Sequence, residues 1–492
     1  MTQAEATLEP PARPRDGGPW ARWPVAMASA VTFAALMLAA AANILDPIVR
    51  HDDFGALFAD PTAFYAKTLE EGRWLNYWWH LRGFTTPAWL NFAVYQLCWA
   101  IFAGASAVNA CGRGARPFYL VTLALLIAVA PQALIISLWF NTLIPGMALV
   151  ALYAVLACHL RPAATRMLLV VFVPLTLMAY TTYPVMLLGI CLTQQGARRG
   201  AVDLFALCAL FIGSFVLAML AIYALNHAEH GVFGMQMAAW RDPSPAHDLA
   251  SALANLDKVA AFMHDSALVA AYYFKPLAWA NVAALVLGLV YLGRIDAWAA
   301  IYILTGILAG LSMISLHVLK EGVWVPVRAT GFVWVLYAVT LLRCAQLAEG
   351  RHRRIARLVR NFALLLVLSY LLQTAKHFVG YAGWQRITAD MAAVVAGETG
   401  PIYVAGSYKA LPEAQVAGIQ FPRGLRLRLT HLTGRKVILC DETPEACAAL
   451  PEGLAEASGR PPFETRPLAG GSLILLPPLA SGPGAGAGAA GG

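Results

Sequence analysis

Two adjacent carboxylates, Asp52 and Asp53, follow directly on the first apolar run of the chain, in the stretch RHDDF at 50–54. A carboxylate at an apolar boundary is partly desolvated, which raises its pKa, while a neighbouring arginine lowers it. That balance suits a base that takes the proton of an attacking hydroxyl. The competing reading is an ordinary acidic loop at a membrane interface. Four basic residues stand near apolar boundaries in the same way: Arg50, Arg73 in EEGRWLNYWW, and Lys320 and Arg328 in LKEGVWVPVRATGF. A guanidinium grips a phosphate at two points and an ammonium acts as a point charge, so these four are candidate phosphate ligands. Alternatively they snorkel, or pair with Glu70, Glu71 or Glu321. Trp74, Tyr77 and Trp78 offer flat apolar faces on which a pyranose ring can stack. With Trp79 and Trp89 they also fit an interfacial aromatic belt. There is no GxxxxGK[ST], no HExxH and no paired CxxC, so nucleotide hydrolysis and zinc chemistry have no visible foundation, and neither a metal nor a cofactor is expected.

The elements that must position these residues are membrane helices. Of 492 residues, 59% are hydrophobic and 13% charged, with mean hydropathy +0.62. A soluble domain carries roughly a quarter charged residues. Crossing the hydrocarbon core takes ~20 mostly apolar residues as helix, because each backbone polar group must be satisfied within the segment. The chain therefore reads as a polytopic α-helical membrane protein of about eleven transmembrane helices, near 24–45, 89–108, 118–137, 142–160, 167–181, 183–195, 201–225, 277–293, 297–316, 329–347 and 361–376. The polar opening and the lack of a small-residue cleavage site make the first run a retained helix. The net charge of +8 is a topology signal, not a nucleic-acid footprint. Arg13, Arg15 and Arg22 precede the first span, and Arg113, Arg116, Arg161, Arg166, Arg198, Arg199 and the run 351–360 fill alternate connections. The positive-inside rule then puts the N-terminus in the cytoplasm.

On that reading residues 1–23 are a cytoplasmic tail and 24–376 a transmembrane helical domain with outer loops 46–88 and 226–276. Residues 377–480 form a small extracytoplasmic α/β domain, and 481–492 a disordered low-complexity tail. In the α/β region, strand-like runs at Ile402–Ala405, Val437–Cys440 and Ser472–Leu476 alternate with polar turns and an Ala-rich helical stretch at 445–457. Cys440 and Cys447 flank a short turn there, either as a disulfide in an oxidising compartment or as two free thiols.

The RHDDF and EEGRW stretches, with APQALIISLWFNTLIPGMALVALYAVLA, LTLMAYTTYPVMLLGI, VPVRATGF and PIYVAGS further on, form a pattern that resembles the membrane glucosyltransferase II family of O-antigen modification, within the GT-C class of multi-span glycosyltransferases. The resemblance covers most of the chain. It implies an inverting transferase of the bacterial inner membrane, using a polyprenyl-phosphate-linked sugar, glucose first, and an O-antigen or other lipopolysaccharide or envelope glycan as acceptor at the periplasmic face. It implies that Asp52 or Asp53, with Asp53 slightly favoured, is the base, and that Arg73 and Arg328 contact the donor phosphate. The chain departs from the family pattern at Leu138, Trp139, Phe140 and Asn141, where a Tyr-Arg-Phe-Asp-like stretch is expected, and at Tyr180 and Thr181, where Tyr-Gln is expected. A lipid-linked glycan translocator, or a non-catalytic protein of envelope assembly, is the alternative.

Overall fold

The computed structural model describes residues 23–479 apart from 198, 449, 452, 455–458 and 469. The tails expected at 1–23 and 481–492, with Arg13, Arg15, Arg22 and Arg198, lie outside the described residues except for Trp23. So does part of the helical stretch expected at 445–457, of which Pro444–Cys447 is helical.

The described chain is mostly helical, and seven of its helices are long and apolar enough to cross a membrane: Ala88–Cys111, Pro131–His159, Ala201–His230, Lys275–Ile295, Ala297–Glu321, Val327–Ala348 and Arg353–Val394. Several bury little of their apolar surface in the protein. Ala201–His230 has 28% of its most apolar window buried and Lys275–Ile295 has 22%. Helices that are apolar on their exposed faces need lipid as solvent, so this is a membrane protein.

The expected count of eleven is corrected. Four further apolar helices, Pro24–Ala39, Pro117–Ala128, Pro162–Leu177 and Tyr183–Thr193, have only 10–17 residues. At 1.5 Å per residue they fall short of the ~30 Å hydrocarbon thickness. Hydropathy does not register what ends a helix. The run 118–137 breaks at Ala130, whose ψ of 138° is the extended conformation imposed by Pro131. Beyond that break the chain belongs to the next long helix.

The helices pack through small residues. Ala88–Cys111 lies against both Pro24–Ala39 and Phe140–His159. A Cβ on Gly146 would overlap Ala179, so glycine sets that close approach. Arg113 meets His159 at 2.9 Å, Arg116 pairs with Glu349 and Arg199 with Asp296. The basic alternate connections are thus gathered at one end of the bundle.

The other end carries 46–88, 226–276 and the C-terminal region. Helix Arg353–Val394 runs unbroken for 42 residues, straight through the boundary expected at 377. It leads into a four-stranded sheet of order β2-β1-β4-β3, with β1 Ile402–Ala405, β2 Val437–Leu439, β3 Glu464–Leu468 and β4 Gly471–Leu475. β1 is parallel to β2 and β4, and β3 closes the edge antiparallel to β4. Cys440 and Cys447 form a disulfide with Cα atoms 5.6 Å apart. Helix Pro422–Thr433 turns Leu425 and Leu429 into a core shared with the long helix, each worth about 1.5–3 kcal/mol of burial. Buried Arg428 on the same helix pairs with Asp46 and donates to Thr388 Oγ1 at 3.2 Å. The sheet domain is thereby clamped onto the first loop.

Candidate active site

The site begins at a fault in a helix. Between Pro131–Ile136 and Phe140–His159 the chain takes a 3₁₀ turn, Ser137–Trp139, and Trp139 leaves helical geometry (φ −108°, ψ 35°). The first amides of the new helix then lack carbonyl partners in their own segment. Asp53, fully buried at 0% exposure, supplies them. Its carboxylate accepts from Asn141 N at 3.0 Å, Asn141 Nδ2 at 2.9 Å, Thr142 N at 2.7 Å and Thr142 Oγ1. Burial nonetheless pushes its pKa up to about 6, against those hydrogen bonds and with help from the neighbouring Asp52 charge. Asp53 is placed as a helix cap, with no face left for a substrate.

Asp52 points the other way. Its side chain is 27% exposed and accepts from Lys67 Nζ at 2.6 Å and from Trp139 Nε1 at 2.5 Å. Burial acts to raise its pKa, but the Lys67 and His51 charges and the two hydrogen bonds outweigh it and hold the carboxyl well below the usual range. Asp52 is an anion throughout the physiological range, beside a cation and an indole.

Trp139 and Tyr180 organise the arginines. Arg328 lies over the Trp139 ring at 4.0 Å from its centroid and donates from Nε to the Tyr180 hydroxyl at 3.3 Å. Such stacking is worth about 0.5–2 kcal/mol and leaves the guanidinium's other donors free. Arg73 lies 5.4 Å from the Tyr180 ring centroid and pairs with Glu71. It is aimed there by Gly72, which ends helix Thr62–Glu71 in the left-handed conformation (φ 69°). A Cβ at that position would come within 2.9 Å of Ile222 Cγ2, so glycine is required both for the turn and for the space. Arg50 is spent structurally: Nη1 donates to the carbonyls of Ala417 at 3.0 Å and Gly418 at 2.6 Å, tying the first loop to the C-terminal region. Its guanidinium still reaches the edge of the group, 5.9 Å from the Trp139 centroid.

The structure thus brings together Asp52, Arg50, Arg73 and Arg328 and sets other expected residues apart. Lys320 is 79% exposed and pairs with Glu321 at 2.8 Å, outside the group. Trp74 is 2% exposed, with Nε1 donating to Asn226 Oδ1 at 2.8 Å, so it is a core residue and cannot stack on a sugar. Tyr77 packs against Tyr65 at 5.2 Å and is half-buried, whereas Trp78 is exposed. Reasoning on the sequence missed Lys67, Trp139, Tyr180 and Arg241, the last of which reaches Glu71 at 3.5 Å from the 226–276 loop. Lys67 and Glu71 carried a signal, since residues four apart share one helix face. Among the described residues no group of three or more His, Cys, Asp or Glu side chains is placed to hold a metal ion. No family model, no curated protein and no solved structure matches the chain.

Proposed function

We propose that the chain is a polytopic glycosyltransferase that moves a sugar, glucose in the first instance, from a polyprenyl-phosphate carrier to an O-antigen or related envelope glycan at the periplasmic face of a bacterial inner membrane. The observation that carries this reading is one partly exposed carboxylate, Asp52, paired with Lys67 and bonded to Trp139, the ring on which Arg328 stacks, at the end of an apolar helical bundle. Arg328 has no ion-pair partner among the described residues, and the donors it does not spend on Tyr180 suit a lipid phosphate.

The acceptor hydroxyl attacks the anomeric carbon. The new C–O bond forms as the bond from that carbon to the phosphate oxygen breaks, and the hydroxyl proton goes to Asp52. The leaving group departs as a phosphate monoester, whose added charge the guanidinium groups stabilise. A carboxylate held at low pKa is a weak base until the cations around it are neutralised. The donor phosphate brings negative charge close to those cations, so donor binding raises the basicity of Asp52 where the proton must be taken.

The test is transfer of labelled glucose from polyprenyl-phosphate glucose to envelope polysaccharide by membranes containing the protein. Transfer by wild type, lost in Asp52→Asn at unchanged protein level, is expected. Wild-type failure with the glucose, mannose and aminosugar carriers alike would overturn the proposal and favour a translocator or a non-catalytic assembly protein.

A further inference from the structure

We infer that Arg241, carried by the 226–276 loop, is a third arm of the phosphate site, and that the Glu71 carboxylate occupies the phosphate position until the donor arrives. The inference rests on the phosphate-binding reading of Arg73 and Arg328 given above. Three arginines from three distant segments converge here. Glu71, with a side chain 7% exposed, pairs with both Arg73 and Arg241. Arg73 faces the ring of Tyr180, and Arg328 donates to the hydroxyl of the same residue. The segments are tied together through backbone: Gln236 N donates to Leu69 O at 3.1 Å, and Trp324 N to Arg241 O at 3.4 Å.

One buried carboxylate does not use what these guanidinium groups offer. Nε of Arg73 and Nε of Arg241 are buried and donate to no acceptor among the described residues. Lys67, one helical turn before Glu71, adds a further positive charge, and the half-buried Glu70 adds a negative one. A phosphate ester has more acceptor oxygens and more charge than a carboxylate, and can engage donors that Glu71 leaves unused. Glu71 keeps Arg73 and Arg241 together while the site is empty, at the cost of competing with the ligand.

The full-length protein in detergent is titrated with farnesyl phosphate, and with farnesol as the control lacking the phosphate. Binding of the phosphate but not of the alcohol is expected. Arg241→Gln weakens it about tenfold, the worth of one charge-assisted hydrogen bond. Glu71→Gln tightens it about three- to tenfold, since a negative charge beside the ligand is gone. Lys320→Gln leaves it unchanged. Unchanged affinity in Arg241→Gln, with binding lost in Arg328→Gln, overturns the role of Arg241 and leaves the phosphate site standing. Weaker binding in Glu71→Gln overturns the placeholder role. If Glu71→Gln does not fold, Glu71→Asp serves: its shortened carboxylate releases one arginine and tightens binding, and weaker binding refutes the idea. No binding of farnesyl phosphate by wild type defeats the underlying reading itself.

Discussion

Asparagine at position 52 and asparagine at position 53 should have opposite consequences, although the two aspartates are neighbours in the chain. Asp53 offers two oxygens to four donors from Asn141 and Thr142. In Asp53→Asn one of those oxygens becomes an NH₂ group facing donors, which leaves about two buried donors unpaired at ~1–3 kcal/mol each. A loss of about 2–6 kcal/mol is a large share of a marginal stability. Asp52→Asn keeps one acceptor oxygen at a partly buried pair and loses about one hydrogen bond, at about 1 kcal/mol. The assay is thermal unfolding of both variants in detergent, followed by tryptophan fluorescence, across pH 4–8. Asp53→Asn should unfold at clearly lower temperature, and Asp52→Asn close to wild type. The pH dependence gives a second handle. The folded-state pKa of Asp53 is raised from its ordinary 3.8 to about 6 by burial. Its contribution to stability is therefore fully present below pH 3.8 and lost as pH rises through about 6. That decline should vanish in Asp53→Asn. Equal stability of the two variants, with the wild-type pH slope retained in Asp53→Asn, would refute the capping role.

Replacing Lys67 by Met removes the charge that most lowers the pKa of Asp52. The acid limb of transfer activity should move to higher pH, because a carboxylate with a raised pKa protonates earlier as pH falls; a pH–rate profile unchanged from wild type counts against the pairing. Arg428→Met leaves Asp46 to solvent and loosens the sheet domain on the first loop, leaving the Arg50 bonds to Ala417 and Gly418 in place, at a cost of about 1–3 kcal/mol. Faster proteolysis within 395–479, with the helical bundle intact, is the expected result. Arg328→Gln should raise the KM for the lipid-phosphate donor more than tenfold with little change in unfolding temperature, since among the described residues the side chain is hydrogen-bonded only to Tyr180 and stacked on Trp139.

How much of this was legible beforehand varies by element. The apolar helices were readable from composition, and three of the four strands from short β-branched runs. β3 escaped notice because Glu464, Arg466 and Pro467 make it polar, which only an edge strand tolerates. The helix count was overread because hydropathy is blind to the break at Pro131 and because the helices on either side of the 181–184 turn are too short to span. At the site, Asp52, Arg73 and Arg328 were singled out by residue type and by their place at the ends of apolar runs. Their common partners were not, because the Trp139 and Tyr180 rings meet the arginines only through long-range packing. Asp52 and Asp53 look identical in sequence. What separates them is the 3₁₀ turn at Ser137–Trp139, which frees the amides that Asp53 must satisfy.

The most direct measurement is single-turnover transfer from polyprenyl-phosphate glucose by purified Asp52→Asn, beside Asp53→Glu and wild type, at matched folded fraction. The expected result is transfer by wild type and its loss in Asp52→Asn, while Asp53→Glu retains transfer in proportion to the protein that folds. Full transfer by folded Asp52→Asn would contradict the assignment of Asp52 as the base.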